Sequence, residues 1–193
     1  MEQPMTPEMS LRVINDMIQQ AKQSFSRMSF YFLLWGGLFL AATLTEYFVA
    51  TAGLPNGWLG WPILGTLGGI IAAVHGSREG RKAGASSFTD RVFAWVWGSF
   101  TLTLVIVIIS CVAMEQRPGP WVSIITSMPT LISGGILRFR PLMVGGMLFW
   151  ALGLLSLFVW PEHGALLFGL ALLLGYIVPG ILLKKQEDGL CTA

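Results

Sequence analysis

Charge is what this sequence has least of. Asp, Glu, Lys and Arg make up only 11% of its residues, against 54% hydrophobic ones, where soluble domains carry about 25% charged residues. A chain so poor in charge cannot cover a water-facing surface, which excludes an ordinary soluble domain and points to a polytopic membrane protein. The net charge of +2 is too small and too scattered to build the basic face of a nucleic-acid binder. The two cysteines, Cys111 in an apolar run and Cys191 in a polar tail, suggest neither a disulfide framework nor a metal knuckle. Catalytic spacings are missing as well: there is no Gly-x-Ser-x-Gly, no His-Glu-x-x-His and no Walker loop. "GSREGRKAG" has glycine and basic residues without P-loop order, and reads as an anchor against anionic headgroups. No cofactor and no metal are expected, and the case for an enzyme is weak. The amino terminus lacks the short apolar core and small-residue cleavage site of a signal peptide, so the first apolar segment is expected to stay in the mature protein.

What is present is long hydrophobic runs. A spanning helix needs about 20 apolar residues, because each adds about 1.5 Å across a core of about 30 Å. Six runs qualify: 30–51, 57–75, 92–114, 121–137, 142–160 and 165–183. The fourth is the least hydrophobic. Unpaired backbone groups are too costly in lipid, so each span must be helical. The expected fold is therefore all-α: residues 1–29 an amphipathic helix, 30–183 six transmembrane helices in three hairpins, and 184–193 a short tail. Eleven of the twelve Lys and Arg residues fall on one side of this arrangement, and only Arg117 on the other. That imbalance predicts a multi-pass protein with both termini in the cytoplasm. Trp58, Trp61, Trp121 and Trp160 lie near the opposite boundary, as an aromatic belt would.

The hairpins look related. Odd spans carry Trp35-Gly36, Trp97-Gly98 and Trp150-Ala151, and even spans carry Gly68-Gly69, Gly134-Gly135 and Pro179-Gly180. A repeated two-span unit is one reading; the ordinary abundance of Gly and Trp in membrane helices is the other. The glycine pairs read as seams where backbones approach closely. "SMPTLISGGILRFRP" is a kinked fourth span in which Ser127, Thr130 and Ser133 share a helical face. Those hydroxyls either serve packing, bonding a neighbouring helix or the backbone near Pro129, or line a route for a solute.

Upstream, Thr6-Pro7-Glu8 is a helix start, with a hydroxyl N-cap and proline in the first turn. Leu11, Ile14, Ile18, Ala21, Phe25 and Met28 then recur at steps of three and four, opposite Arg12, Asn15, Asp16, Gln19 and Lys22. Such a helix lies in the interface, packs under the bundle, or binds a protein partner through Leu11, Ile14, Ile18 and Phe25. Glu46 is the only acid inside an expected span. Placed about 24 Å along its helix, it either snorkels into outer water or serves as an ion or proton site. Glu115, Glu162 and His163 share that outer side, without any metal-ligand spacing.

"FYFLLWGGLFLAATL", "SGGILRFRPL" and "GYIVPGILLKK", with "INDMIQQAKQSF" before them, resemble an uncharacterised family of small six-span inner-membrane proteins of Bacteroidota-type bacteria. The resemblance implies a bacterial inner-membrane address and the six-span topology; it brings no activity and no catalytic residues. Two functions remain in view. One is a membrane-embedded interaction or regulatory module that engages a protein partner, or a second copy, through the N-terminal helix. The other is a small transporter or channel using Glu46 and the polar face of Ser127, Thr130 and Ser133.

Overall fold

The computed structural model describes the backbone of residues 7–83 and 88–191, and the side chains of residues 28–78 and 90–186. Thr6 lies outside the described residues, as do the side chains of Leu11, Ile14, Ile18 and Phe25. Every regular element among the described residues is helical. The first helix, α1, runs from Pro7 to Thr51 without a break, so the amphipathic stretch and the first apolar run are one rod. It is followed by α2 (Gly60–Ala83), α3 (Phe88–Ala113), α4 (Pro118–Ile136) and α5 (Arg140–Phe158). The last rod is α6 (Gly164–Leu172), a π-helical turn (Leu173–Ile177) and α7 (Val178–Cys191).

Among the described residues five stretches are long and apolar enough to cross a membrane: Met28–Thr51, Gly57–Arg78, Asp90–Ala113, Arg140–Phe158 and Pro161–Gln186. These helices fit a membrane protein. The fourth run of the sequence, now α4, is not among them. Its 19 residues would reach about 28 Å at 1.5 Å each, so length is not what it lacks. Serine and threonine lower its hydropathy, and Ser123, Thr126, Ser127, Thr130 and Ser133 are all buried. Its outward side is apolar, with Trp121, Met128, Ile132 and Ile136 exposed.

The helices pack unequally. The closest pair is α4 with α5; α1 lies against α2, α6, the π-turn and α7, while α3 lies against α4. Within its apolar stretch the α6–α7 rod is 56% buried, whereas α2 and α3 are each 6% buried. The α6–α7 rod is therefore the central post, and α2 and α3 are outer members. Phe32, Phe93, Leu137, Leu142, Phe149, Phe168, Leu172, Tyr176 and Leu183 form one continuous core around that post.

Small residues decide where backbones meet. A Cβ on Gly145 would lie 2.7 Å from the Gly175 carbonyl oxygen, and one on Gly36 would lie 2.9 Å from the Tyr176 Cβ. Both are impossible contacts, so α1 and α5 touch the post only because these positions are bare. The glycine pairs resolve into one packed and one open member. Gly68 meets Trp35 and Leu38 while Gly69 meets nothing; Gly134 meets Met143 and Leu142 while Gly135 meets nothing. The expectation that both members form a seam is corrected accordingly. The three hairpins also use their Trp-small pairs differently, since Gly98 faces open space and Trp150 is exposed.

Three helices end in the same left-handed turn. After α1, Gly53 N–H bonds the Ala50 carbonyl and Leu54 N–H the Val49 carbonyl. After α3, Glu115 and Gln116 bond Val112 and Cys111, and after α4, Arg138 and Phe139 bond Gly135 and Gly134. This double bond pattern is the Schellman cap, whose left-handed position favours glycine. Gly53 sits there at φ 68°, but Glu115 and Arg138 take it at 54° and 50°.

Candidate functional site

The inner face of α4 is the most polar surface that the fold buries. Its hydroxyls are short, so α5 comes close: a Cβ on Gly134 would meet the Met143 nitrogen at 2.8 Å, and one on Gly153 the Ser123 Cβ at 3.1 Å. Ser123 Oγ donates across the gap to the Phe149 carbonyl at 2.8 Å. Thr126 Oγ1 donates to the Val122 carbonyl at 2.6 Å and Thr130 Oγ1 to the Thr126 carbonyl at 2.7 Å. Ser127 Oγ donates to the Ile124 carbonyl. Pro129 has no N–H to offer Ile125 one turn back, and the carbonyls on either side of Ile125, those of Ile124 and Thr126, are served by Ser127 and Thr130. The face is thus a helix seam in which most hydroxyls are committed to main chain.

Opposite stands the π-turn of the last rod. A π-turn widens a helix by one residue and re-aims its side chains. Here it drives Tyr176 into the middle of the bundle, 2% exposed. Its ring meets Phe149 of α5 edge-on at 5.0 Å and Phe32 of α1 at 5.5 Å. Its hydroxyl lies 3.4 Å from Thr130 Oγ1 of α4. Thr130 gives its one proton to Thr126, so Tyr176 is the donor in this pair. A single side chain therefore touches three other helices.

Two hydroxyls stay apart from this network. Among the described residues Ser133 Oγ and Ser156 Oγ are buried without a hydrogen-bond partner, an arrangement that costs about 1–3 kcal/mol each. Ser156 borders a shallow crevice together with Gly119, Pro120, Ser123, Leu152 and Phe168 that has no room for a water molecule.

Of the expected site residues, Ser127, Thr130 and Ser133 share one buried face of α4, which meets the last rod at Tyr176. Activation of a hydroxyl as a nucleophile needs a base within hydrogen-bond reach, and the bonds of Ser123, Ser127 and Thr130 go to carbonyls and Tyr176. Glu46 stands elsewhere, accepting a 2.6 Å bond from Trp61 Nε1 that ties α1 to α2. On the short connections before α4 and α6, Glu162 lies 3.5 Å from His163, and Arg117 reaches the Pro161 carbonyl at 3.2 Å. Among the described residues no three His, Cys, Asp or Glu side chains come together as a metal site.

Sequence reasoning missed Tyr176, Ser123 and Ser156. Ser123 was within reach, since it lies one turn before Ser127 on the same face. Nothing local marks Tyr176, whose position depends on the π-turn. No family model, curated protein or solved structure matches this chain.

Proposed function

We propose that this protein is a six-span integral protein of a bacterial inner membrane, with both termini cytoplasmic, and that it works as a membrane-embedded interaction or regulatory module. The resemblance to six-span inner-membrane proteins of Bacteroidota-type bacteria and the one-sided Lys and Arg distribution support the address and direction. The apolar outer side of α4 supports counting it as the sixth span.

One observation carries the function: α1 is continuous from Pro7 to Thr51. The stretch before Met28 would extend about 30 Å from the apolar segment at 1.5 Å per residue. A partner holding that stretch would pull on a rod that touches Tyr176 at Gly36, and Tyr176 touches α4 and α5. The same helix thus offers a docking stripe at one end and a contact with the hub at the other.

The test is affinity purification of the full chain from native membranes, wild type against Ile14→Asp with Ile18→Asp. Each Asp removes apolar contact and places charge on a surface that docking would desolvate, together costing several kcal/mol. The six spans lie beyond these positions, so insertion and abundance should hold. The expected result is a specific protein, or a second copy of this one, lost with the double substitution. If the wild type retains no specific protein, the reading fails.

A transporter is the second reading, and one observation favours it. A proline-interrupted helix and a π-turn face each other at Thr130 and Tyr176, and both are places where a helix deforms readily.

A further inference from the structure

The turn between α4 and α5 places Arg138 where the backbone favours glycine. Its φ of 50° is left-handed, and the turn is closed by bonds from Arg138 N–H to the Gly135 carbonyl at 3.1 Å and from Phe139 N–H to the Gly134 carbonyl at 2.9 Å. Those bonds need no side chain at 138. The same protein uses glycine for the equivalent turn at Gly53. A Cβ costs stability in this conformation, so the arginine side chain does nothing for the turn itself. Strain of this kind is grounds for asking what the side chain does.

Arg138 is one of several exposed cations at that end of the bundle. Arg91, Arg140, Lys184 and Lys185 are exposed too, and no ion pair engages these five among the described residues. Their chain neighbours show that they ring one end of the core. Leu137 precedes Arg138, Leu142 follows Arg140 by two, Phe93 follows Arg91 by two and Leu183 precedes Lys184, and all four belong to the same buried cluster. Phe139, between the two arginines, packs on that cluster as well, so its flanking cations are held at the rim. Apolar helix surface begins directly below, with Ile136, Val144, Ile181 and Leu182 exposed. Cations without an ion pair among the described residues thus border exposed apolar helix surface, the arrangement in which basic side chains meet anionic headgroups.

We propose that the Arg138–Phe139–Arg140 turn, with the neighbouring cations, is a binding surface for the phosphate of anionic phospholipids. Arginine suits the task because its planar fork gives a phosphate two parallel hydrogen bonds. Two arginines flanking a half-buried aromatic that packs on the core reach the membrane surface from a fixed base, with little backbone freedom left to lose on binding.

The experiment is native mass spectrometry of the full chain, counting retained lipids as it is titrated with phosphatidylglycerol or phosphatidylcholine. Wild type should retain phosphatidylglycerol preferentially. Arg138→Gly relieves the backbone and so keeps the fold, yet should cut the preference about fivefold, the scale for one basic residue near an anionic surface. Adding Arg140→Gln should cut it about twenty-fivefold in total, whereas Arg140→Lys, which keeps the charge but loses the fork, should leave the preference between those with arginine and with glutamine at this position. Glu115→Gly relieves the same left-handed strain at the opposite end of the bundle and should leave the preference intact. Equal retention of the two lipids by wild type overturns the proposal, as does a preference that survives the Arg138→Gly, Arg140→Gln pair. Displacement of the lipid by millimolar inorganic phosphate would assign the surface to a soluble anion instead. A co-purifying acidic protein shed by Arg138→Gly, with both lipids retained equally, would assign it to a protein. Either result overturns the lipid reading.

Discussion

Gly134 and Gly135 are neighbours in one helix, and replacing each with alanine separates local from tertiary effects. In an isolated helix both changes would help, by about 0.5–1 kcal/mol each, because alanine has less conformational freedom to lose. The fold makes them opposites. At Gly135 the new methyl enters open space, so the local gain stands. At Gly134 it would sit 2.8 Å from both the Met143 nitrogen and Cγ, and 3.2 Å from the Leu142 carbonyl carbon. The Met143 side chain can swing away, but its main chain cannot move without dragging α5. Overpacking of that kind costs about 1–3 kcal/mol. The local gain is common to both, so the two variants should differ by about 1–3 kcal/mol, roughly fivefold to a hundredfold in the unfolding equilibrium at about 1.4 kcal/mol per decade. Full-length protein in mixed micelles, unfolded by increasing dodecyl sulfate and followed by circular dichroism, gives the comparison. Met143→Ala in the Gly134→Ala background should recover only part of the loss, since the main-chain clash remains. Equal stability of the two alanine variants, or greater damage from Gly135→Ala, would show that α4 is not seated on α5 through Gly134.

Tyr176→Phe keeps the ring contacts and removes only the hydroxyl, so the same titration should show a loss of about 0.5–1.5 kcal/mol; a loss above about 3 kcal/mol would make the Thr130 contact more than a packing bond. Glu46→Gln keeps an oxygen for the Trp61 indole while removing the charge. Stability should change by less than about 1 kcal/mol, and proton or cation flux into liposomes should equal that of wild type; a wild-type flux lost in this variant would restore Glu46 to a transport mechanism. For direction, single cysteines at Asn56 and Glu162 in a cysteine-free background should react with an impermeant label from outside intact cells, and cysteines at Gly84 and Gln186 should not. Reversed labelling would refute the orientation drawn from Lys and Arg.

The sequence by itself determined the helical class, the positions of the apolar runs and the inward face of α4. These are local or periodic properties: scarcity of charge, run length, and a three-to-four residue spacing that puts Ser127, Thr130 and Ser133 on one side. The tertiary structure decided what those features are for. A glycine pair looks symmetrical in sequence, but a helix turns about 100° per residue, so only one member can face a given neighbour, and Gly134 and Gly68 are the ones that do. Glu46 reads as an isolated acid until α2 brings Trp61 within 2.6 Å of it. Tyr176 reads as one more aromatic in an apolar run, yet the π-turn and the bare positions Gly36 and Gly145 bring α1, α4 and α5 together around it and Gly175. Spacing along one helix fixes which residues share a face; which neighbour that face meets depends on residues far away in the chain.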